Sequence, residues 1–146
     1  MKRWLVAAAV LWPLMLATAT WLRMTVDHRA WADLIYVAAS RICHQRPDRS
    51  FQTAGVQWPV CARCAGLYAA APFGALAAWW LRPRAARDRK WWLAIAAAPT
   101  AATIVAEWLL GVAVTNSARG VAALSLGAAL AYVLVRVAPG RAPAIR

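Results

Sequence analysis

Four long apolar stretches separated by short polar ones organise this chain. Trp4–Leu22 carries no charged side chain. At about 1.5 Å of rise per residue such a helix crosses roughly 30 Å of hydrocarbon. Val60–Leu81 is interrupted by Arg63 near one end, and Trp91–Val114 by Glu107. The fourth stretch, Gly120–Val135, is short but extends to Arg119 and Arg136 at its ends. The pattern predicts an all-α fold: an integral membrane four-helix bundle forming a single membrane domain over residues 1–146, with an outer-face amphipathic helix and loop. The spans fall at about 4–22, 60–81, 91–114 and 120–136. Tryptophan marks their edges: Trp4 and Trp21, Trp79-Trp80, then Trp91-Trp92. Indoles favour the headgroup layer, where the ring is half buried and its N–H stays wet.

The outer loop, residues 23–59, has its own pattern. Trp31, Leu34, Ile35, Ala38 and Ile42 recur at helical spacing, with Asp27 as N-cap and Asp33 and Arg41 on other faces. This predicts an amphipathic helix along the membrane interface that delivers Cys43 and His44 to the bundle. Residues Gln45–Pro59, with Pro47, Gly55 and Pro59, predict irregular loop. Within the spans, Gly66, Ala70, Gly74 and Ala78 repeat every fourth residue, and Gly120, Ala123, Gly127 and Ala131 do much the same. Such seams let helix backbones approach closely. Pro72 is placed to kink the second span.

Composition agrees with a membrane protein: 63% hydrophobic residues, 10 Trp and 15% charged residues in 146. The net charge of +12 raises nucleic acid as a partner. The basic residues are scattered between apolar runs, however, and two of them are lysines, so no nucleic acid is expected. The lipid bilayer and its anionic head groups are the expected partners. Lys2 and Arg3, the basic loop 82–90 and the tail with Arg136, Arg141 and Arg146 all fall on one side of an even number of spans. The positive-inside rule makes that side cytoplasmic. The expected location is the cell (plasma) membrane, multi-pass, with both termini cytoplasmic and the motif loop facing outward. Five arginines in the outer loop weaken this assignment without reversing it. Lys2-Arg3, the apolar run and Ala17-Thr18-Ala19 also have the form of a cleavable secretory signal. The run is long for that role and continues through Leu22, which favours an uncleaved span.

The candidate chemistry lies in Cys43-His44-Gln45-Arg46-Pro47-Asp48-Arg49-Ser50-Phe51 and Pro59-Val60-Cys61-Ala62-Arg63-Cys64-Ala65-Gly66-Leu67-Tyr68. Cys61-x-x-Cys64 at a helix start lets two sulfurs face one point, and the helix N-terminus favours thiolate. With Cys43 and His44 they form a donor set for zinc or another thiophilic metal. Adjacent Cys43 and His44 are awkward as simultaneous ligands, so an open coordination position is expected; His28 is a conceivable substitute. The chain lacks Cys-x-x-Cys-His, so no c-type haem is expected. Arg46, Arg49 and Arg63, with Arg119 at the fourth span, surround the motif, and Glu107 is the acid within a span. One reading makes Glu107 an acid/base beside the metal, with Arg63 and Arg119 catalytic partners and Arg46, Arg49, Ser50, Tyr68 and Asn116 on an anionic lipid or small-molecule substrate. The plainer reading pairs Glu107 with Arg63 or Arg119 and makes Asn116 and Ser117 a turn and helix cap. A membrane thiol–disulfide oxidoreductase using Cys61 and Cys64 stays open, as does a non-catalytic protein with a structurally stapled loop.

The two-part cysteine motif, an acid in the third span and Asn116-x-x-Arg119-Gly120 together resemble a group of small prokaryotic multi-span membrane proteins of unknown function. The resemblance covers roughly Ile42 to Leu130. It implies that the polar signature residues share one site, and it implies no activity. Glu107 stands where Asp is the more expected residue.

Overall fold

The computed structural model describes residues 2–25, 29–81 and 89–138. Along the chain run α1 (Lys2–Arg23), α2 (Arg29–Ser40), a 3-10 turn at Pro47–Arg49, β1 (Ser50–Thr53), β2 (Val56–Cys61), α3 (Ala62–Trp80), α4 (Arg89–Trp108) and α5 (Asn116–Val137). By length and composition α1 and α5 are apolar enough to cross a membrane. The charges and paired tryptophans of α3 and α4 dilute their hydropathy.

Three expectations need correction. The segment expected to be irregular, Gln45–Pro59, contains an antiparallel hairpin, so the fold is mostly rather than wholly helical. Its register pairs Ser50 with Cys61, Gln52 with Gln57 and Thr53 with Val56. Ala54 and Gly55 close it with positive φ values of 49° and 77°, the double left-handed geometry that right-twisted strands require of a two-residue turn. The Ala-Gly pair was the overlooked turn signal. The second correction is that α3 begins at Ala62, because Val60 and Cys61 belong to β2. The third is that α4 ends at Trp108, short of Val114. Gly111 adopts φ 63° and turns the chain back, so that the Val112 amide caps the Ala106 carbonyl at 2.9 Å. Glu107 therefore lies in the last turn of its helix.

Close packing of α3 on α5 forms the centre of the bundle. Gly66, Ala70, Gly74 and Ala78 are all buried, as are Gly120, Ala123, Gly127 and Ala131. A Cβ at Gly66 would lie 2.0 Å from the Gly120 carbonyl oxygen, and one at Gly127 would lie 2.2 Å from that of Leu67. The two backbones touch, as the small-residue seams predicted. Thr115 caps α5 by accepting the Ala118 amide at 3.2 Å. Thr115→Ala is expected to cost about 1 kcal/mol, measurable as a lower denaturation midpoint.

Among the described residues α4 contributes none to the two buried clusters. It is attached by Thr100 Oγ1 donating to the Ala122 carbonyl (2.9 Å), Ser125 Oγ donating to that of Ala96 (2.7 Å) and an ion-pair cluster at its end. In α2 the packed face is Ala32, Tyr36 and Ala39, continuing to Cys43, and Ile35 packs beside it. Trp31, Leu34, Ala38 and Ile42 of the expected stripe point outward. This helix thus has two apolar faces, one against protein and one away from it. Asp27, His28, most of the basic loop, Arg141 and Arg146 lie outside the described residues.

Candidate functional site

Each cysteine arrives by a separate route. Cys43 follows α2, Cys61 ends β2 and Cys64 sits in the first turn of α3. Their sulfurs all lie within 4.8 Å of one another, and all three are free thiols. A tetrahedral zinc with bonds of about 2.3 Å holds sulfurs roughly 3.8 Å apart, so small side-chain movements would close this triangle on a metal. The Cys61 amide donates to the Cys43 sulfur at 3.1 Å. Cys61 lies just ahead of the α3 helix, and its thiol is pulled down to about 5. The hydrogen bond from the Cys64 thiol contributes most, and burial opposes it. Cys43 is buried, and the other two are half-buried.

Two glutamines outside the expected site residues hold the cluster. Gln45 takes a left-handed backbone, φ 50°, and its Nε2 donates to the Tyr36 and Pro59 carbonyls at 2.7 and 2.8 Å. Gln57 Nε2 donates to the Gln45 carbonyl at 2.6 Å, and the Tyr36 hydroxyl donates to that of Gln57. Burial raises the Tyr36 pKa, which keeps this donor protonated. These bonds lock the end of α2 onto β2 and fix Cys43 beside Cys61. Position next to Cys43-His44 was the available hint for Gln45; Gln57 carried none.

A second polar constellation joins the helices at this end of the bundle. Arg63 Nη2 contacts one Glu107 oxygen at 2.9 Å, and Arg119 Nε contacts the other at 2.5 Å. The three side chains are 16%, 12% and 8% exposed for Arg63, Arg119 and Glu107. Arg63 also donates to Thr103 Oγ1, and Arg119 Nη1 donates to Asn116 Oδ1. Asn116 in turn donates to the Ser50 carbonyl at 3.0 Å. The network ties α3, α4, α5 and the hairpin together, with both carboxylate oxygens engaged.

The remaining sequence candidates are placed as follows. His44 is exposed and is not part of the sulfur group. Arg46 is exposed and pairs with Asp48 at 3.2 Å. Arg49 lies 3.6 Å from the same carboxylate, and its Nε is sealed from solvent without a hydrogen bond among the described residues. Ser50 is buried and donates to the Arg46 carbonyl at 2.8 Å. The Tyr68 ring meets Trp12 edge-on, with 6.1 Å between ring centroids. Ser50, Tyr68 and Asn116 thus have internal partners.

Residues 43–133 match a family described as Predicted membrane protein (DUF2085). The chain belongs to this family. The match runs from the first cysteine into the last turns of α5 and so contains both constellations. An uncharacterized protein of Methanothermobacter thermautotrophicus is 52% identical over 27 residues, which are 18% of this chain and 24% of that relative. No solved structure matches this family member.

Proposed function

We propose that this protein spans the membrane four times, with α1, α3, α4 and α5, and binds zinc or another thiophilic metal through Cys43, Cys61 and Cys64 on the outward side. The observation that carries this reading is the convergence of three sulfurs from three separate elements. Soft thiolates with no hard ligand among them suit such ions. Zinc held by three protein ligands keeps a fourth position, where bound water is acidified.

The environment narrows the roles proposed for the other residues. Both Glu107 oxygens face guanidinium groups, which supports an inter-helix latch over a proton-transfer role. Arg63 and Arg119 are committed to that latch. In the enzyme form of the proposal, Arg46 and Arg49 at the loop surface are the cations left to meet an anionic, lipid-like substrate. The four-span part rests on the exposed apolar side chains of every long helix, including Leu11, Leu14, Phe73, Ile95, Ile104 and Leu134. It rests also on helix packing through small residues rather than a large-residue core.

Metal analysis of detergent-purified protein, with thiol counting on the same sample, tests the proposal. One metal ion per chain is expected, lost in Cys64→Ser and retained in His44→Ala. Metal-free protein carrying a Cys61–Cys64 disulfide would overturn it in favour of the oxidoreductase alternative.

A further inference from the structure

At the end of the bundle far from the cysteines, one arginine has two guanidinium nitrogens sealed from solvent without an acceptor among the described residues. Arg136 lies in the last turn of α5, about 25 Å along the helix from Arg119 at 1.5 Å per residue. Its Nε and Nη2 are sealed from solvent and have no hydrogen-bond partner among the described residues. The guanidinium carbon lies 5.5 Å from the centre of the Tyr132 ring. A ring face and the carbonyl end of α5 both favour the charge, but neither supplies the acceptors that water gave it. A guanidinium held in this way needs an anion.

Among the described residues the chain offers none at this end. Of its five acids, Asp33, Asp48 and Glu107 are paired with arginines at the opposite end. Asp27 precedes α2 by two residues, and Asp88 stands in sequence between Arg87 and Arg89. No acid among the described residues stands at this end, which turns the search for a counter-ion to the surroundings of the chain.

The surroundings indicate which anion. Val6 and Ala9 of α1 pack on Ala75 and Ala78 of α3 and on Ala131 and Val135 of α5. The start of α1, the end of α3 and the end of α5 therefore share a level, and the hydrogen bonds from α4 to α5 bring the start of α4 towards it. Trp4, Trp79, Trp80, Trp91 and Trp92 are exposed at these helix ends. A ring of outward indoles marks the headgroup layer. The group that combines negative charge, several acceptor oxygens and that depth is a lipid phosphate.

We propose that Arg136 binds the phosphate of an anionic phospholipid, one whose negative charge no ammonium of its own neutralises. The fork of the guanidinium donates to two phosphate oxygens once its terminal torsions turn it from the Tyr132 ring.

The test uses the full chain in nanodiscs made from equal phosphatidylglycerol and phosphatidylcholine, extracted into mild detergent, with retained lipid counted by native mass spectrometry. Phosphatidylglycerol is expected to be retained about tenfold over phosphatidylcholine, a ratio that corresponds to about 1.4 kcal/mol. Arg136→Gln abolishes the preference, and Arg136→Lys, which keeps charge but not the fork, reduces it. Arg3→Gln removes a charge from an exposed position at the same end and leaves the preference intact. Equal retention of the two lipids by the wild type overturns the proposal, as does an Arg3→Gln loss equal to that of Arg136→Gln. Displacement of the lipid by millimolar inorganic phosphate overturns it too, because the site would then belong to free phosphate. If Arg136→Gln does not fold, the wild-type lipid ratio, phosphate competition and Arg136→Lys still decide the matter.

Discussion

Glu107→Gln should destabilise the folded protein by about 3–5 kcal/mol, because it leaves two nearly buried guanidinium groups facing each other without a carboxylate between them. Arg63 and Arg119 then repel, and the amide supplies one acceptor oxygen where the carboxylate supplied two, leaving Arg119 with Asn116 Oδ1 and Arg63 with Thr103 Oγ1. Arg119→Met should cost less, since Glu107 keeps Arg63 at 2.9 Å and one pair survives. Denaturation in detergent, followed by the fluorescence of the tryptophans, measures both. The order of the two losses distinguishes a latch from an acid/base group. A Glu107→Gln protein as stable as the wild type, with metal still bound, would remove the latch and revive the proton-transfer role. The loss should also free the Trp108 end of α4, while the Thr100 and Ser125 hydrogen bonds between α4 and α5 remain nearer its start.

Gly74→Ala is the second large effect, expected to cost about 3 kcal/mol. Its added methyl would lie 1.9 Å from the Ala128 carbonyl oxygen, a backbone atom that no rotamer change can move. The helices must separate, and the buried alanines on either side lose their contacts together. Gly120→Ala on the same seam is the internal control. There the new methyl meets the edge of the Phe51 ring at 3.0 Å, and a side chain can turn away, so a loss under about 1 kcal/mol is expected. Helix propensity favours alanine over glycine at both positions, so equal losses at the two would mean that backbone contact at Gly74 does not set the cost.

Much of the helical frame was legible in the sequence because membrane solvent imposes a simple rule. Backbone groups must be satisfied within the segment, so apolar runs become helices. The ends of α1 and α5 follow from that rule to within a few residues. The seam residues Gly66, Gly74, Gly120 and Gly127 were legible as well, since their spacing alone puts them on one face. The hairpin was not. Its alternation is short, it lies among prolines, and its turn uses Ala54-Gly55 rather than a pair rich in Asn or Asp. Trp108 as the end of α4 was hidden for a different reason: the apolar run continues past it, and the stop depends on one glycine adopting positive φ.

The chemistry divides along the same line. Sequence by itself determined that three cysteines lie close along the chain, that Cys61 and Cys64 flank a helix start, and that Glu107 and Arg119 stand near the facing ends of neighbouring apolar stretches. Covalent spacing and helical period are enough for that much. Only the tertiary structure decided that Cys43 joins Cys61 and Cys64 while His44 turns to the surface. That choice depends on the left-handed Gln45 and its bonds to Tyr36 and Pro59, which join segments distant in sequence. It likewise decided that Glu107 serves both Arg63 and Arg119, and that two nitrogens of Arg136 are sealed without an acceptor among the described residues. Pairing among charges is set by side-chain positions on different helices, and those positions follow from how closely the glycine seams let the backbones approach.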